Sequence, residues 1–229
     1  MNGSGRFTII CGHYGAGKTN FAINHAIDAV KNGKDVTLVD LDIINPYFTS
    51  SIYADVLRKN GVNVISPVFA NTNMEVTALP ASVHSVFDTD DDVILDVGGD
   101  NAGATVLGRF SSRIAEREYE MLYVTNMYRP MTASPEDSVN MLRDIENACG
   151  LKATAVVNNS HLKELTAVSV ITDSLEYAKE VAHLARIPLL FTTVPRSYVG
   201  GGLPEDEYFY PADVYVRSIW EMGNEHVES

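Results

Sequence analysis

The segment from Gly12 to Thr19 constrains the fold of this chain more than any other stretch. It reads Gly-His-Tyr-Gly-Ala-Gly-Lys-Thr, follows the apolar run Phe7–Cys11 and precedes an amphipathic pattern over residues 18–32. Its glycines allow backbone conformations in which successive N–H groups point to one side of a loop. A helix that begins at the end of this loop adds the partial positive charge of its N-terminus. The pattern G-x-x-x-x-G-K-[ST] in this context predicts a phosphate-binding loop.

Short apolar runs and longer helical patterns alternate along the rest of the chain. Most of the apolar runs are continuous, which is typical of parallel strands covered on both faces. This alternation predicts a doubly wound α/β fold, with a mostly parallel sheet of about seven strands and helices on both faces. We find no long linker and expect one nucleotide-binding domain over residues 1–229. The predicted strands are residues 7–11, 35–40, 62–66, 93–96, 120–125, 154–158 and 188–192, and the predicted helices are residues 18–32, 47–59, 105–115, 135–148 and 174–185.

The positions of the loop have different expected parts in binding a nucleotide. The backbone of the glycine-rich part cradles the phosphates, and Lys18 reaches the β and γ phosphates. The Thr19 hydroxyl is expected to ligate Mg²⁺. The predicted nucleotide-contacting residues of this segment are Gly12, His13, Tyr14, Gly15, Ala16, Gly17, Lys18, Thr19 and Asn20.

Carboxylates end the second and the fourth predicted strands. The second strand runs into Asp40 and Asp42, and the fourth runs into Asp96. Because ligands of such sheets bind at the carboxyl ends of the strands, we expect these side chains beside the phosphate loop. Carboxylate oxygens suit Mg²⁺ and its water shell, so Thr19, Asp40 and Asp96 form the predicted metal site. Gly98, or the glycine after it, is expected to offer a backbone N–H near the γ phosphate.

Charge and cysteine content exclude several classes of function. The formal net charge is −13, with 17 basic residues scattered among 30 acidic ones. Proteins that neutralise phosphates on nucleic acids or membranes concentrate Lys and Arg on one face, so we expect neither partner. The two cysteines have no spacing that suits zinc or an iron–sulfur cluster. No apolar run reaches the ~18 residues of a membrane span and no signal-peptide layout is present, so we expect a cytoplasmic protein.

Together, these motifs resemble the MinD/ParA/nitrogenase-iron-protein group of P-loop ATPases, to which the CobQ/CobB-type nucleotide-binding domain also belongs. The resemblance covers about residues 7–195, and the phosphate loop is its most specific part. It implies that Asp42 positions the attacking water in switch I, so Lys18 and Asp42 are the expected catalytic residues. It further implies that Asp40 lies near the metal, that Asp96 holds the water shell of the metal, and that Gly98 begins switch II. The implied ligands are ATP and Mg²⁺.

Two later segments resemble the base-binding loops of the same group. Asn158, or its neighbour Asn159, follows the sixth predicted strand, where that group reads the adenine amino group with an asparagine amide. Pro195 lies in a segment that resembles the loop over the base. Asparagine at a strand end is also a common turn residue, and this is the alternative for Asn158. The chain has no Asn/Thr-Lys-x-Asp guanine signature, which favours ATP over GTP.

One position of the loop departs from the pattern of that group. His13 stands where members that form nucleotide-sandwich dimers carry a second lysine, and Tyr14 replaces the following glycine. A neutral imidazole supplies no fixed positive charge. A homodimer remains possible, but we do not expect ATP to drive a tight face-to-face dimer.

Three functions are compatible with these residues. The favoured one is a slow ATPase switch, in which ATP reshapes the loops after Asp42 and Asp96 and a client protein responds. The second is a small-molecule kinase or ATP-dependent ligase of the CobQ/dethiobiotin-synthetase type, with substrate held near Arg129. The third is a nucleotide-binding interaction module without hydrolysis. The sequence names no client, and the segment of residues 45–51 either packs under the next helix or contacts a partner.

Overall fold

The computed structural model describes the greater part of the chain. The described residues are 5–42, 53–66, 81–99, 101–162, 165–199, 201–205 and 208–216. The segment of residues 45–51 and the first half of the helix predicted over residues 47–59 lie outside them.

Eight strands of the described residues form a single sheet. They are β1 Phe7–Cys11, β2 Val36–Asp40, β3 Asn63–Ile65, β4 Asp92–Asp96, β5 Tyr119–Thr125, β6 Ala155–Asn158, β7 Leu189–Pro195 and β8 Phe209–Ala212. The strand order is β3-β2-β4-β1-β5-β6-β7-β8, and each neighbouring pair is parallel. This arrangement confirms the prediction of a doubly wound α/β fold.

Helices cover both faces of the sheet and create two hydrophobic cores. The α-helices among the described residues are α1 Lys18–Lys31, α2 Ala54–Lys59, α3 Asn101–Gly108, α4 Ser111–Ala115, α5 Pro135–Cys149 and α6 Val168–Ala185, and 3-10 helices span Ala81–Phe87, Pro130–Thr132 and Arg196–Tyr198. Because successive side chains of a strand point to opposite faces, Ile9 of β1 packs into the core with α3, α5 and α6, and Ile10 packs into the core with α1 and α2. Two-sided burial explains why the strand sequences are continuously apolar.

The structure departs from the predicted elements at three places. The helix predicted over residues 105–115 starts earlier and is broken by a tight turn after Gly108, where a side chain would press on the Ala148 carbonyl of α5. Helix α6 starts six residues before the predicted one, because Ile171 already packs in the core. Strand β8 was missed, since it contains Pro211, and proline is tolerated only at a sheet edge such as this one.

The sheet topology places the end of β1 at the point where the chain changes direction. β1 lies between β4 and β5, with β2 and β3 on one side and β6 to β8 on the other. In open α/β sheets, ligands bind in the crevice outside the carboxyl ends of the strands at this kind of position. The loop that follows β1 is therefore at the ligand-binding edge. None of the helices in the described ranges has both the length and the apolar character needed to cross a membrane.

Candidate functional site

The loop between β1 and α1 has a backbone that requires its glycines. Gly12, Gly15 and Gly17 have φ angles of 144°, 76° and 86°. A side chain at Gly12 would also collide with the carbonyl of Val124 on β5. Helix α1 begins directly after Gly17, which provides no side-chain cap. The first N–H groups of α1 have no partners within the helix, and they remain available to an anion.

Three side chains hold the carbonyl groups of this loop. Lys18 Nζ donates to the His13 carbonyl over 3.1 Å, Arg129 Nε donates to the Gly15 carbonyl over 2.8 Å, and Asn159 Nδ2 donates to the Ala16 carbonyl over 2.6 Å. The donors come from α1, from the loop after β5 and from the loop after β6. These contacts fix the course of the loop backbone ahead of the N-terminus of α1.

The carboxylates at the ends of β2 and β4 lie beside the start of α1. Asp40 and Asp96 are paired in register on adjacent strands, and both are buried. The Thr19 hydroxyl makes a hydrogen bond to Asp96, and Lys18 is close enough to act electrostatically on the same carboxyl. Burial, followed by the charge of Asp40, raises the pKa of Asp96 to about 7. Without a cation, this pair of carboxylates is held together at an energetic cost.

Buried polar atoms without partners are concentrated at this site. In the described part of the chain, three buried side-chain nitrogen or oxygen atoms have no hydrogen-bond partner: His13 Nδ1, Asp96 Oδ2 and Arg117 Nη1. The first two belong to the phosphate loop and to the adjacent strand end. Because an unsatisfied buried polar atom is costly and uncommon, its presence points to a ligand or to bound water.

The residues present fit a magnesium ion bound together with phosphates. No group of three or more His, Cys, Asp and Glu side chains among the described residues forms a protein cage for a metal. Mg²⁺ does not need such a cage, since it keeps several waters and takes one or two protein oxygens plus phosphate oxygens. Thr19 and the unpartnered Asp96 oxygen supply oxygens of this kind beside the phosphate loop. Asp40 lies next to Asp96 in register on the adjacent strand, and its place near the metal stays a prediction.

The segments after β2 and β4 meet each other and the phosphate loop. The Asp42 N–H donates to Asp40 Oδ1 over 3.0 Å, and the Asp42 carboxylate lies 3.3 Å from where a Cβ of Gly98 would be. At Gly99, a Cβ would lie 2.6 Å from the Tyr14 backbone and 2.8 Å from Lys18 Nζ. Residues with side chains would therefore not allow this close approach. The structure thus places Asp42 beside Gly98, and Gly99 beside Tyr14 and Lys18.

Asn158 lies inside the protein, away from the ligand-facing surface. It is fully buried at the end of β6, and its Nδ2 donates to Ser174 Oγ over 2.9 Å and to Thr192 Oγ1 over 3.2 Å. Its Oδ1 accepts from the Ser160 N–H and from Ser160 Oγ. These four bonds use both ends of the amide. The role of Asn158 in reading adenine stays a prediction that this arrangement does not support.

The alternative base-reading residue, Asn159, is tied to the phosphate loop. Its Nδ2 binds the Ala16 carbonyl, and its Oδ1 accepts from Thr193 Oγ1. Pro195 was expected in a loop after the last strand, but it is the final residue of β7, and its place over the base stays a prediction. The next residue, Arg196, donates from Nε to both carboxylate oxygens of Asp213. The predicted base-side residues are therefore together at one edge, with the two asparagine amides engaged within the protein.

The side chain of Asn20 binds the C-terminal part of the described chain. Its Nδ2 donates to the Asp213 carbonyl over 3.0 Å, and its Oδ1 accepts from the Tyr215 N–H over 2.8 Å. Asn24, one helical turn later, makes paired bonds with the N–H and carbonyl of Asp213. A nucleotide contact by Asn20 stays a prediction, and in this structure its amide secures the segment after β8.

Sequence reasoning missed the contact of Arg129 with Gly15 and the role of Asn159 as a brace. Both residues were noticed as polar positions after strands, which is the signal that a sheet edge provides. Their contact with the loop depends on how the segments after β5 and β6 curve across the sheet, and no sequence pattern gives that geometry. Gly99 was named only as an alternative to Gly98, although it is the glycine that touches Lys18.

Comparisons with known proteins show a similarity in fold and none in sequence family. No protein-family model matches the chain, and no curated protein matches it by sequence. Solved structures do match. The cell division protein FtsY from Thermotoga maritima is 18% identical with a TM-score of 0.53, and the match covers 84% of this chain and 62% of that one. FtsY from Mycoplasma mycoides is 17% identical with a TM-score of 0.56, over 84% and 60% of the two chains.

A third similar structure is the signal recognition particle 54 kDa protein from Aeropyrum pernix in complex with GDP. It is 15% identical with a TM-score of 0.55, over 82% of this chain and 41% of that one. This chain spans less than two thirds of each of these three proteins. At such identities the likeness shows the fold alone, which is the α/β fold of P-loop NTPases.

Proposed function

We propose that this chain is a magnesium-dependent ATP-binding switch that hydrolyses ATP slowly and acts on a client protein. The observation that carries the proposal is that the segment after β4 contacts both the phosphate loop and the segment after β2. Gly99 lies against the Tyr14 backbone and Lys18 Nζ, and Gly98 lies against Asp42. A γ phosphate bound by Lys18 would contact the segments after both β2 and β4. Its loss on hydrolysis would release them, as in other switches that sense this phosphate.

Each residue of the site has a defined part in this function. The loop N–H groups and Lys18 bind the phosphates, and the N-terminus of α1 favours their charge. Bound Mg²⁺ would neutralise charge between the β and γ phosphates, held by Thr19 with Asp96, and with Asp40 nearby. Asp42 orients the attacking water, because its carboxylate is the acidic group next to Gly98.

ATP is the proposed nucleotide, and a guanine nucleotide is the competitor to be tested. The segment after β6 reads Asn-Asn-Ser-His and has no Lys-x-Asp element for guanine. On the other hand, the similar Aeropyrum pernix structure contains GDP. A competition assay with equal concentrations of ATP and GTP decides between them. Preferential binding of ATP is expected, and equal or tighter binding of GTP would contradict the base assignment while leaving the phosphate site in place.

The proposed client is a protein. The charge of −13 opposes binding to nucleic acids and anionic lipids, as in the sequence argument. If the protein releases phosphate from ATP when no acceptor substrate is present, the result supports an ATPase switch. A requirement for a small acceptor substrate would instead favour a kinase or ligase.

Replacement of Lys18 tests the phosphate site directly. Lys18→Ala should weaken ATP binding at least about tenfold, or ~1.4 kcal/mol, without unfolding the protein. Lys31→Ala is the matched control, since Lys31 lies at the other end of α1 and pairs with the nearby Asp28. Isothermal titration calorimetry of both variants measures the effect. Equal affinities of the wild type and Lys18→Ala would overturn the proposed function.

A further inference from the structure

The segment from residue 126 to residue 132 is fixed by its own hydrogen bonds. The buried Asn126 accepts the Tyr128 N–H at its Oδ1 over 3.0 Å, and its carbonyl accepts the Arg129 N–H and the Thr132 hydroxyl. The Thr132 carbonyl in turn accepts from the Tyr177 hydroxyl of α6. The backbone that carries Arg129 is thus held at a defined place outside β5.

The Arg129 side chain ends at the phosphate loop. Its Nε donates to the Gly15 carbonyl over 2.8 Å, and its Nε and Cζ lie 3.3 and 3.5 Å from the position of a Cβ on Gly15. The Ala16 N–H of the same peptide donates to the His13 carbonyl over 3.2 Å. The Gly15–Ala16 peptide is therefore held at both ends. The turn of the loop is therefore formed before a ligand binds, and the loop loses less conformational entropy on binding.

Arg129 also contributes positive charge where the site has an excess of carboxylates. Asp40 and Asp42 both act electrostatically on Asp96 at the neighbouring strand ends. Lys18 and Arg129 both act electrostatically on His13 at the start of the loop. The Arg129 charge is therefore close to His13. A guanidinium stays charged at every physiological pH and keeps further N–H donors when one is used. A nucleotide phosphate at this loop would be attracted by both cations.

We propose that Arg129 is a positioning residue for the nucleotide phosphates, which holds the Gly15–Ala16 peptide through Nε and favours phosphorylated ligands by its charge. The proposal rests on the proposed nucleotide-binding function. It assigns a role to the segment after β5, whose function the sequence left open. It predicts a contribution that grows with the number of phosphates, whereas a residue that only supports the fold would weaken every ligand alike.

The test measures a series of ligands with matched variants. Arg129→Met removes the charge and the donor, and Arg129→Lys keeps the charge without the planar Nε donor. Arg6→Met is the control, because Arg6 is a half-exposed arginine that pairs with Glu120 at the opposite end of the sheet. Affinities for adenosine, ADP and ATP are measured by calorimetry, together with the thermal stability of each apo variant.

We expect Arg129→Met to weaken ATP about tenfold, to weaken ADP by less, and to leave adenosine affinity unchanged in a variant that remains folded, since the phosphates lose an attracting charge and the loop loses its bond to the Gly15 carbonyl. Arg129→Lys should weaken ADP and ATP about threefold, because a lysine retains charge without the fork geometry. Arg6→Met should bind all three ligands as the wild type does.

The inference is overturned if Arg129→Met binds ATP as tightly as the wild type, or if it loses as much affinity for adenosine as for ATP. Nucleotide binding by the protein would stand in either case. If Arg129→Lys binds ATP as tightly as the wild type, Nε does not position the Gly15–Ala16 peptide for the phosphates. Absence of ADP and ATP binding by the wild type overturns the proposed function itself.

Discussion

The two carboxyl ends that flank the phosphate loop, those of β4 and β6, contain buried polar side chains in opposite states. At the end of β4, Asp96 has an oxygen without a partner, and its pKa is raised to about 7 by burial and by Asp40. At the end of β6, the equally buried Asn158 makes four hydrogen bonds within the protein. The sequence predicts Asp96 as part of the metal site from its place at a strand end, and the family resemblance implies that Asn158, at another strand end, reads the base.

The difference teaches that position at a strand end is not sufficient to identify a ligand-binding residue. A buried polar group whose bonds are complete stabilises the fold and has little left to offer a ligand. A buried group left incomplete costs folding free energy unless a ligand or cation completes it. We therefore expect chemistry at the carboxylate end and structural support at the asparagine end, and the following substitutions test this distinction.

The largest effect is expected at Asp42, on the carboxylate side. Asp42→Ala should retain Mg·ATP but lose turnover by about 100-fold, because a group that orients water acts in the transition state. Phosphate release under single-turnover conditions measures the rate, and calorimetry confirms that ATP still binds. Asp55→Ala is the control, since Asp55 is an exposed aspartate of α2 that pairs with Arg58. Normal hydrolysis by Asp42→Ala would move the role elsewhere, with Asp40 the next candidate.

At the asparagine end, replacement should act on stability. Asn158→Ala removes an amide that serves Ser160, Ser174 and Thr192, so the free energy of unfolding should fall by about 2 kcal/mol. The preference for ATP over GTP should stay the same. Urea unfolding and a nucleotide competition assay measure the two quantities. A variant of normal stability that discriminates less well between the bases would restore Asn158 as a base-reading residue and break the comparison.

The sequence was sufficient for the fold and for the strand, loop and helix that place residues 12–19 at the end of β1. The glycines at 12, 15 and 17 and the carboxylates at 40 and 96 are identified by local patterns, because strand, loop and helix follow one another directly. The completeness of a hydrogen-bond network is not a local property. The partners of Asn158 come from β7, α6 and the residue two places on, and such distant contacts exist only after the sheet forms.

The same limit explains the missed C-terminal contacts. Asn20 and Asn24 lie one turn apart on α1, a spacing that places both on one face of the helix, and together they bind the segment after β8. That segment is nearly 200 positions further along the chain, beyond the reach of any local pattern. A proline within β8 also made the strand difficult to recognise from the sequence.

Removal of the incomplete carboxylate should stabilise the apo protein. Burial and the adjacent Asp40 raise the pKa of Asp96 from 3.8 to about 7, so the folded state holds this proton more tightly than the unfolded state. The contribution of Asp96 to stability is then greatest at low pH and is lost as the pH rises to about 7. Asp96→Asn should raise the free energy of unfolding at about pH 8 by at least ~1 kcal/mol. In the wild type, this carboxyl lowers the free energy of unfolding as the pH rises from about 4 to about 7, and this pH dependence should be absent from Asp96→Asn.

Denaturation of the apo wild type and of Asp96→Asn at both ends of this pH range measures the effect. The variant should at the same time bind Mg·ATP more weakly than the wild type, because the amide is a poorer partner for the metal and its waters. A variant that is less stable than the wild type at high pH would show that Asp96 is a supporting residue, as Asn158 is.

The smallest effect is expected at His13, which lies on the loop between the two strand ends and also has a buried atom without a partner. Burial, followed by the nearby Lys18 and Arg129, lowers the pKa of His13, so the imidazole is neutral at physiological pH. Two subunits that face each other across ATP would lack a cation from this position, and the charge of −13 on each adds repulsion that salt screens only in part. We therefore expect light scattering to show no change in mass when Mg·ATP is added to the Asp42→Ala variant. The double variant Asp42→Ala/His13→Ala should give the same result.

A constitutive dimer through another surface would agree with this result, since its mass would not depend on ATP. A shift from monomer to dimer on adding ATP, strengthened by His13→Lys and weakened by His13→Ala, would show that an uncharged, unpartnered group acts across the interface. The distinction between incomplete and complete groups would then extend to contacts between subunits.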